Sequence, residues 1–198
     1  MHESLILAIS FAGAITLGGA TDGQACAGQP RSACDAAAVA EFTAGVQEYL
    51  HVRETAAGHI PPEREFVDPT EMLAERDVLR RAIRDARPNA QAGDLFTPRA
   101  AATIRRIVAV TAAAHDVDPA DIVHDLRAER MHGAKRPVVN GPYDWRLGSW
   151  MWSALLQTLP ALPAELQYRI VSDDLVIIDV RASLVVDILE HAMVGDGD

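Results

Sequence analysis

Two aspartates interrupt the apolar runs near the C-terminus at positions that could bring their carboxylates together. Asp179 interrupts the run at residues 175–180, and Asp187 interrupts the next run, at residues 184–189. If the runs are antiparallel strands joined by a three-residue loop, Asp179 faces Val185, and Asp187 lies diagonally on the same sheet face, about 7 Å away. Such a pair could serve acid–base catalysis or hold a hard cation. Alternatively, each aspartate is structural and accepts hydrogen bonds from arginine or from turn amides.

A second group of acidic and histidine side chains lies near residue 120. Asp121 and His124 are one turn apart on the helix predicted there, and Asp125 is adjacent to that face. Carboxylates and an imidazole so placed could share a divalent ion. The competing interpretation is that acidic residues at a helix start complement its dipole while the histidine lies in solvent. The metal interpretation gives the alternative function, a divalent-metal-binding protein or a metal-dependent hydrolase, whereas the favoured function below needs no cofactor.

Four aromatic residues lie within ten positions, namely Tyr143, Trp145, Trp150 and Trp152. Trp150 and Trp152 fall in a predicted short helix, where 100° per residue places them about 200° apart around the axis. We therefore expect one of these two indoles to be buried against the C-terminal sheet, while the other lines a surface groove with Trp145 and Tyr143. Such a groove would suit an extended peptide or a glycan. The alternative is that the aromatic cluster fills the space between the helices and the sheet.

Helical patterns dominate residues 35–133, the part of the chain that must support these side chains. Asp68, Thr97 and Asp118 each combine a helix-capping side chain with a proline at the next position, which is the typical start of a helix. Residues 134–148 are interrupted by proline and glycine and predict an irregular linker.

The C-terminal part, residues 149–191, predicts a short helix followed by strands. Its short, β-branched apolar runs are separated by turn residues at Asp173–Asp174 and at 181–183. Together these patterns predict an α+β fold, in which a helical N-terminal two-thirds packs on a small C-terminal antiparallel β-meander. We expect residues 35–193 to form a single domain.

Residues 1–27 have the pattern of a signal peptide, because a long uncharged apolar run is followed by small residues that allow cleavage after Ala20 or Ala27. Since lysine and arginine are absent before this run, the alternatives are a true start that lies further upstream and a retained hydrophobic arm. Cleavage after Ala20 would keep both Cys26 and Cys34, which could form a disulfide in an oxidising compartment. We expect an exported protein, periplasmic or secreted, with no stable membrane span after cleavage.

Charge and motif content narrow the class of function. The chain has a formal net charge of -10, and this disfavours nucleic-acid binding because the phosphate backbone requires a basic face. The sequence shows no glycine-rich phosphate loop, no G-x-S-x-G elbow and no cysteine–histidine pairing in a catalytic context. Whether the chain is an enzyme stays open. The sequence favours a non-enzymatic module that binds an envelope protein, a peptide or a glycan.

The C-terminal sequence also resembles a group of known proteins. Residues 153–189 read SALLQTLPALPAELQYRIVSDDLVIIDVRASLVVDIL, with two Leu-Pro steps, a Tyr-Arg strand, an Asp-Leu turn and an Asp-Val…Val-Asp ending. Together with GDLFTP at residues 93–98, this pattern resembles a family of uncharacterised exported bacterial proteins. The hairpin is similar to the terminal hairpin of small periplasmic proteins of nickel and cobalt homeostasis. The resemblance implies export and the fold predicted above, and it carries over no catalytic residue.

Overall fold

The computed structural model describes residues 31–58, 60, 68–147 and 149–194, and the predicted signal peptide and Cys26 lie outside this part of the chain. The helices are α1 (Arg31–Ala57), α2 (Pro69–Ala86), α3 (Pro98–Ala114), α4 (Pro119–Glu129) and α5 (Ser153–Thr158), with a 3₁₀ turn at Trp145–Leu147. The strands are β1 (Ser149–Trp150), β2 (Leu166–Val171), β3 (Asp174–Asp179) and β4 (Leu184–Leu189). The α+β fold class predicted from the sequence is confirmed.

Three helices begin where the sequence places their caps. The side chains of Asp68, Thr97 and Asp118 accept hydrogen bonds from backbone amides in the first turns of α2, α3 and α4, and a proline follows each of them. Each cap satisfies an amide that has no partner inside the helix, which contributes about 1 kcal/mol. Proline is tolerated at this position because its missing N–H would have no helical acceptor there.

The sheet is antiparallel, and its strands follow one another in the order β1-β2-β3-β4. A tight turn joins β2 to β3, because Val171 pairs directly with Asp174. The turn residue Ser172 takes a φ of +57°, a left-handed conformation that tight hairpin turns require. The predicted meander is therefore present, with a short additional strand at its outer edge.

The loop between β3 and β4 differs from the expected three residues. Asp179 pairs with Leu184 rather than with the residue after it, because residues 180–183 all belong to the loop. A β-bulge in β4 then shifts the register, so that Asp187 pairs with Ile177. Without this extra residue, Asp187 would point to the opposite face, since side chains alternate along a strand. The bulge keeps both aspartates on the same face of the sheet.

That face carries the main hydrophobic core. Its fully buried members come from four helices and three strands of the described chain, and include Phe42 of α1, Leu79 and Ile83 of α2, Ile104 and Val108 of α3, Leu155 of α5, and Ile170, Ile177 and Leu184 of the sheet. Burying one such side chain contributes about 2 kcal/mol. The apolar stripes of the helices therefore meet the sheet on this side.

The opposite face of the sheet is covered by the segment predicted as a linker, residues 134–148. Tyr143 and Leu147 pack there against a second cluster that includes Val176 and Val185. The backbone of the segment also pairs with the free edge of β4, since Asn140 N lies 2.8 Å from the carbonyl oxygen of Val185. This region is irregular, as expected, but it serves as a second layer and as an edge cover.

Residues 149–159 do not form the single helix expected from their pattern. Ser149 and Trp150 form β1, with Trp150 opposite Ile170 of β2, and α5 begins only at Ser153. Pairing with the exposed edge of β2 satisfies backbone groups that a helix would leave unpaired there, and this tertiary contact outweighs the local helical pattern. In the described part of the chain, none of the helices is long and apolar enough to cross a membrane.

Candidate binding cleft

Asp179, the first of the two aspartates, is fully buried at the end of β3. Its Oδ2 accepts hydrogen bonds from the hydroxyl of Tyr49 at 2.9 Å and from Nε of Arg53 at 2.6 Å. Its Oδ1 accepts the backbone N–H of Ala182 at 2.8 Å. Burial, together with the adjacent carboxylate, raises the pKa of the Tyr49 hydroxyl. Asp179 therefore joins α1 to the loop between β3 and β4.

Asp187, the second aspartate, is also fully buried and holds the loop that precedes α3. Its two oxygens accept four backbone N–H groups, those of Gly93, Leu95, Phe96 and Ile188, at 2.7 to 2.9 Å. Burial raises the pKa of this carboxyl, although the four amides act in the opposite direction. Gly93 has a φ of +93°, in a region that glycine enters without strain.

The two aspartates share a sheet face, but each is occupied by its own set of hydrogen-bond donors. Asp179 is bonded to α1 and to its own loop, whereas Asp187 is bonded to the loop before α3. In the described chain, no donor is common to both carboxylates. This arrangement favours the structural interpretation over a carboxylate pair for catalysis or cation binding, because both carboxylates are fully buried and already accept three and four hydrogen bonds.

The aromatic residues do not line one common groove. Tyr143 is buried beneath Trp145, with the rings edge-to-face at a centroid distance of 4.8 Å. Trp150 is exposed, but it borders a separate cavity of 200 Å³ against α4. Trp152 is partly buried against the main core and meets His115 edge-to-face at 5.5 Å. The predicted groove of Tyr143, Trp145 and one of Trp150 and Trp152 is wrong, since Tyr143 is buried and the exposed Trp150 lies on a strand beside a different cavity.

Trp145 is the member of this group that lines a cleft with both polar and apolar walls. Half of the residue is exposed, yet its Nε1 donates a hydrogen bond of 2.9 Å to Oγ of Ser183. The surrounding cleft, which we call the Trp145 cleft, has a volume of 410 Å³ and is lined by Arg53, Met72, Arg76, Trp145, Glu165 and Arg181, among others. It lies where α1 and α2 meet the loop between β3 and β4.

Most of the charges in the Trp145 cleft are paired within the protein. Arg181 forms an ion pair with Glu75, and Arg53 forms one with the buried Asp179. Arg76 differs, because its Nε is buried without a hydrogen-bond partner in the described chain. Its nearest acidic oxygen is Oδ1 of the neighbouring aspartate, at 3.6 Å. The cleft therefore combines an anchored indole, two close ion pairs and one loosely paired arginine.

The predicted metal ligands Asp121, His124 and Asp125 are all exposed on α4. They do not form a group that could hold an ion, and the one such group within the described ranges is Asp173, Asp174 and His191. The ligand atoms of that group lie within 4.8 Å of one another. The sequence analysis missed this group because its members are separated along the chain and meet only through the pairing of the terminal strands.

Two hydrogen bonds hold the group of Asp173, Asp174 and His191 together. Nδ1 of His191 lies 2.6 Å from Oδ2 of Asp173, and the backbone N–H of His191 donates to Oδ1 of Asp174 at 3.1 Å. The contact with Asp173 raises the pKa of His191. For Asp173, burial acts upward, but the hydrogen bond from His191 and nearby amide and charge contacts prevail and lower its pKa. Burial raises the pKa of Asp174.

In comparisons with known proteins, no protein-family model, no curated protein and no solved structure matches the chain. The resemblance of residues 153–189 and 93–98 to exported bacterial proteins therefore stays a prediction. Of the residues that line the Trp145 cleft, the sequence predicted Trp145 alone as a binding residue. Its other walls, including Arg53 and Arg76, had no local signal beyond an ordinary charged helix face.

Proposed function

We propose that this chain is an exported bacterial protein whose mature form binds a component of the cell envelope, without catalysing a reaction. The observation that carries the proposal is the anchored but exposed indole of Trp145. An indole held by Ser183 and by Tyr143 keeps a fixed apolar surface open to solvent beside the exposed Met72 of the same cleft, and an exposed apolar patch in a concave surface is typical of a binding site.

The cysteine chemistry supports export. Cys34 is disulfide-bonded, and the chain has two cysteines in all, the other being Cys26. Disulfides persist in oxidising compartments and are rare in the cytosol. We therefore propose that the signal peptide is cleaved after Ala20, because cleavage after Ala27 would remove Cys26 from the mature chain.

The intact mass of the exported protein tests this part of the proposal. We expect the mass of residues 21–198 less two hydrogens, and the addition of two alkyl groups after reduction. A mass that begins at residue 28, or a free thiol before reduction, would contradict it. A chain that stays in the cytosol with residues 1–20 attached would contradict export itself.

The binding proposal is tested by sedimenting the purified mature chain with an isolated bacterial envelope fraction. We expect the wild-type protein to sediment with the envelopes and Trp145→Ala to stay in the supernatant. Trp150→Ala is the matched control, because Trp150 is similarly exposed but lies outside the Trp145 cleft, and it should behave as wild type. Equal sedimentation of all three proteins, or of none, would overturn the proposal.

A second candidate function, binding of a divalent metal ion, is favoured by the group of Asp173, Asp174 and His191. Two carboxylates and an imidazole suit ions such as zinc or manganese. Metal analysis of protein purified without chelator tests it. We expect one ion per chain if this function is correct, its loss in His191→Ala and its retention in His124→Ala. Protein without stoichiometric metal would exclude this candidate.

A further inference from the structure

The surface that Trp145 offers to a ligand is apolar. The one polar group of the indole, its Nε1–H, is already donated to Oγ of Ser183 at 2.9 Å. The ring is further held by Tyr143, which is 4% exposed. A ligand in the Trp145 cleft therefore meets a flat ring surface of fixed orientation. Partners that fit such a surface are another flat ring or the C–H face of a sugar.

The position of the cleft disfavours an extended peptide. Peptides that bind in an extended form commonly add a strand to a free sheet edge. The edge of β4, which begins one residue after Ser183 of the cleft, is already occupied by residues 140–143 of the same chain. The contacts that occupy it are three backbone hydrogen bonds, from Asn140 N to Val185 O, from Val185 N to Gly141 O and from Tyr143 N to Ser183 O, at 2.8 to 2.9 Å. The backbone of a peptide would find no row of partners beside the indole.

The charge balance of the cleft disfavours a strongly charged ligand. Arg181 is neutralised by Glu75, and Arg53 is neutralised by Asp179 beneath it. What remains for a ligand is the partly exposed guanidinium of Arg76, whose ion pair in the described structure is the loose contact of 3.6 Å with Asp77, and one exposed carboxylate, that of Glu165. A donor and an acceptor at the rim suit hydroxyl groups, because a hydroxyl can both accept and donate.

We propose that the Trp145 cleft binds a neutral glycan, with one pyranose ring stacked on the indole and its hydroxyl groups hydrogen-bonded to Arg76 and Glu165. The inference rests on the binding function proposed above and names its ligand class. The volume of 410 Å³ lies within the range of about 300–1,000 Å³ that is usual for small-ligand sites. Apolar stacking provides affinity here, and the two rim groups select for hydroxyls.

The test is calorimetric titration of the mature chain with five probes. Three are neutral tetrasaccharides, namely cellotetraose, maltotetraose and chitotetraose, in which the sugar or its linkage differs. The fourth is tetragalacturonate, which carries a carboxylate on each ring, and the fifth is the extended heptapeptide Thr-Val-Thr-Val-Thr-Val-Thr. We expect at least one neutral tetrasaccharide to bind and the last two probes not to bind.

Variants connect this binding to the cleft. Trp145→Ala should weaken it about thirtyfold or more, as expected for the loss of a central aromatic contact worth about 2 kcal/mol. Arg76→Gln should weaken it about tenfold, as expected for one hydrogen bond to a charged group. Trp150→Ala should change it less than twofold. Because Trp145 packs on Tyr143, the thermal unfolding of Trp145→Ala is measured in parallel. If Trp145→Ala is unfolded, Arg76→Gln gives an independent test of the cleft.

Other outcomes overturn the glycan assignment. One is that only the heptapeptide or only tetragalacturonate binds. Another is that a neutral sugar binds equally well to wild type, Trp145→Ala and Arg76→Gln. The third is that none of the tetrasaccharides binds. The envelope sedimentation experiment separates the two levels of the proposal. Sedimentation that depends on Trp145 without sugar binding would refute only the ligand class, whereas failure of both experiments would refute the binding function as well.

Discussion

Oδ2 of Asp187 lies 2.7 Å from the backbone nitrogen of Leu95, so the last strand is bonded directly to the loop that begins α3. The next residue of that loop, Phe96, bonds to the same oxygen and stacks on Phe42 of α1 at a centroid distance of 5.8 Å. One carboxylate of the sheet thus fixes the position of a loop and, through it, the packing of two helices. The stretch GDLFTP resembled a family signature, and the structure gives it a physical role.

Replacing Asp187 by asparagine should destabilise the protein strongly. The substituted amide would present N–H donors to backbone amides that are themselves donors, and at least one buried amide would lose its acceptor. We expect the free energy of unfolding in urea to fall by about 3 kcal/mol. Asp121→Asn, at an exposed position of α4, is the control and should stay within about 0.5 kcal/mol of wild type. Equal stability of the two variants would refute the structural role.

Asp179 should be costlier to remove than its hydroxyl partner. Asp179→Ala leaves the guanidinium of Arg53 and the hydroxyl of Tyr49 without their acceptor in a buried site, which costs about 3–5 kcal/mol. Tyr49→Phe removes one donor and leaves Arg53 and Ala182 on the carboxylate, at a cost of about 1 kcal/mol. Urea unfolding of both variants checks this order. A larger loss for Tyr49→Phe would show that the hydroxyl of Tyr49 contributes more to stability than the carboxylate of Asp179, and it would refute the expected order.

Asn140 should stabilise the end of α2 through its side chain. Its Nδ2 donates to the carbonyl oxygen of Arg87 at 2.8 Å, and its backbone takes a φ of +63°. Asn140→Gly keeps this conformation and loses only the side-chain bond, so we expect a loss of about 1 kcal/mol. Asn140→Ala loses the bond and also strains the backbone, which adds about 1 kcal/mol. Thermal unfolding of the pair separates the two effects, and equal losses would mean that the backbone conformation is not retained.

The parts of the fold that the sequence predicted are those encoded locally. The starts of α2, α3 and α4 depend on a capping side chain and a proline that are adjacent in the chain. The terminal strands depend on apolar runs separated by turn residues. Such signals need no knowledge of distant contacts, and they sufficed for the fold class.

What the sequence did not predict depends on contacts between distant segments. Ser149 and Trp150 become a strand because the edge of β2 is free beside them, and the segment around Tyr143 covers the sheet because an apolar face needs a cover. The longer loop before β4 and the β-bulge in β4 each shift the strand register by one residue, and the second shift returns Asp187 to the face of Asp179. No local pattern in the sequence predicted either shift. The Trp145 cleft is assembled from five segments that are distant in the chain. The aromatic cluster pointed to Trp145, but no local pattern placed Arg76 beside it.

The hydrogen bond between His191 and Asp173 should make stability depend on pH. The contact raises the pKa of His191, so its contribution to stability is fully present below the ordinary histidine pKa of about 6.5 and is lost as the pH rises through the raised value. The pKa of Asp173 is lowered, so its contribution is present above the ordinary value of 3.8 and is lost as the pH falls through the lowered one. The pair therefore stabilises the fold most between about pH 4 and 6.5. An NMR titration with chelator present should give His191 a pKa above 6.5. This pKa should fall in Asp173→Asn and stay unchanged in the control Asp121→Asn. If Asp173→Asn leaves the pKa of His191 unchanged, the imidazole is not bonded to this carboxylate in solution.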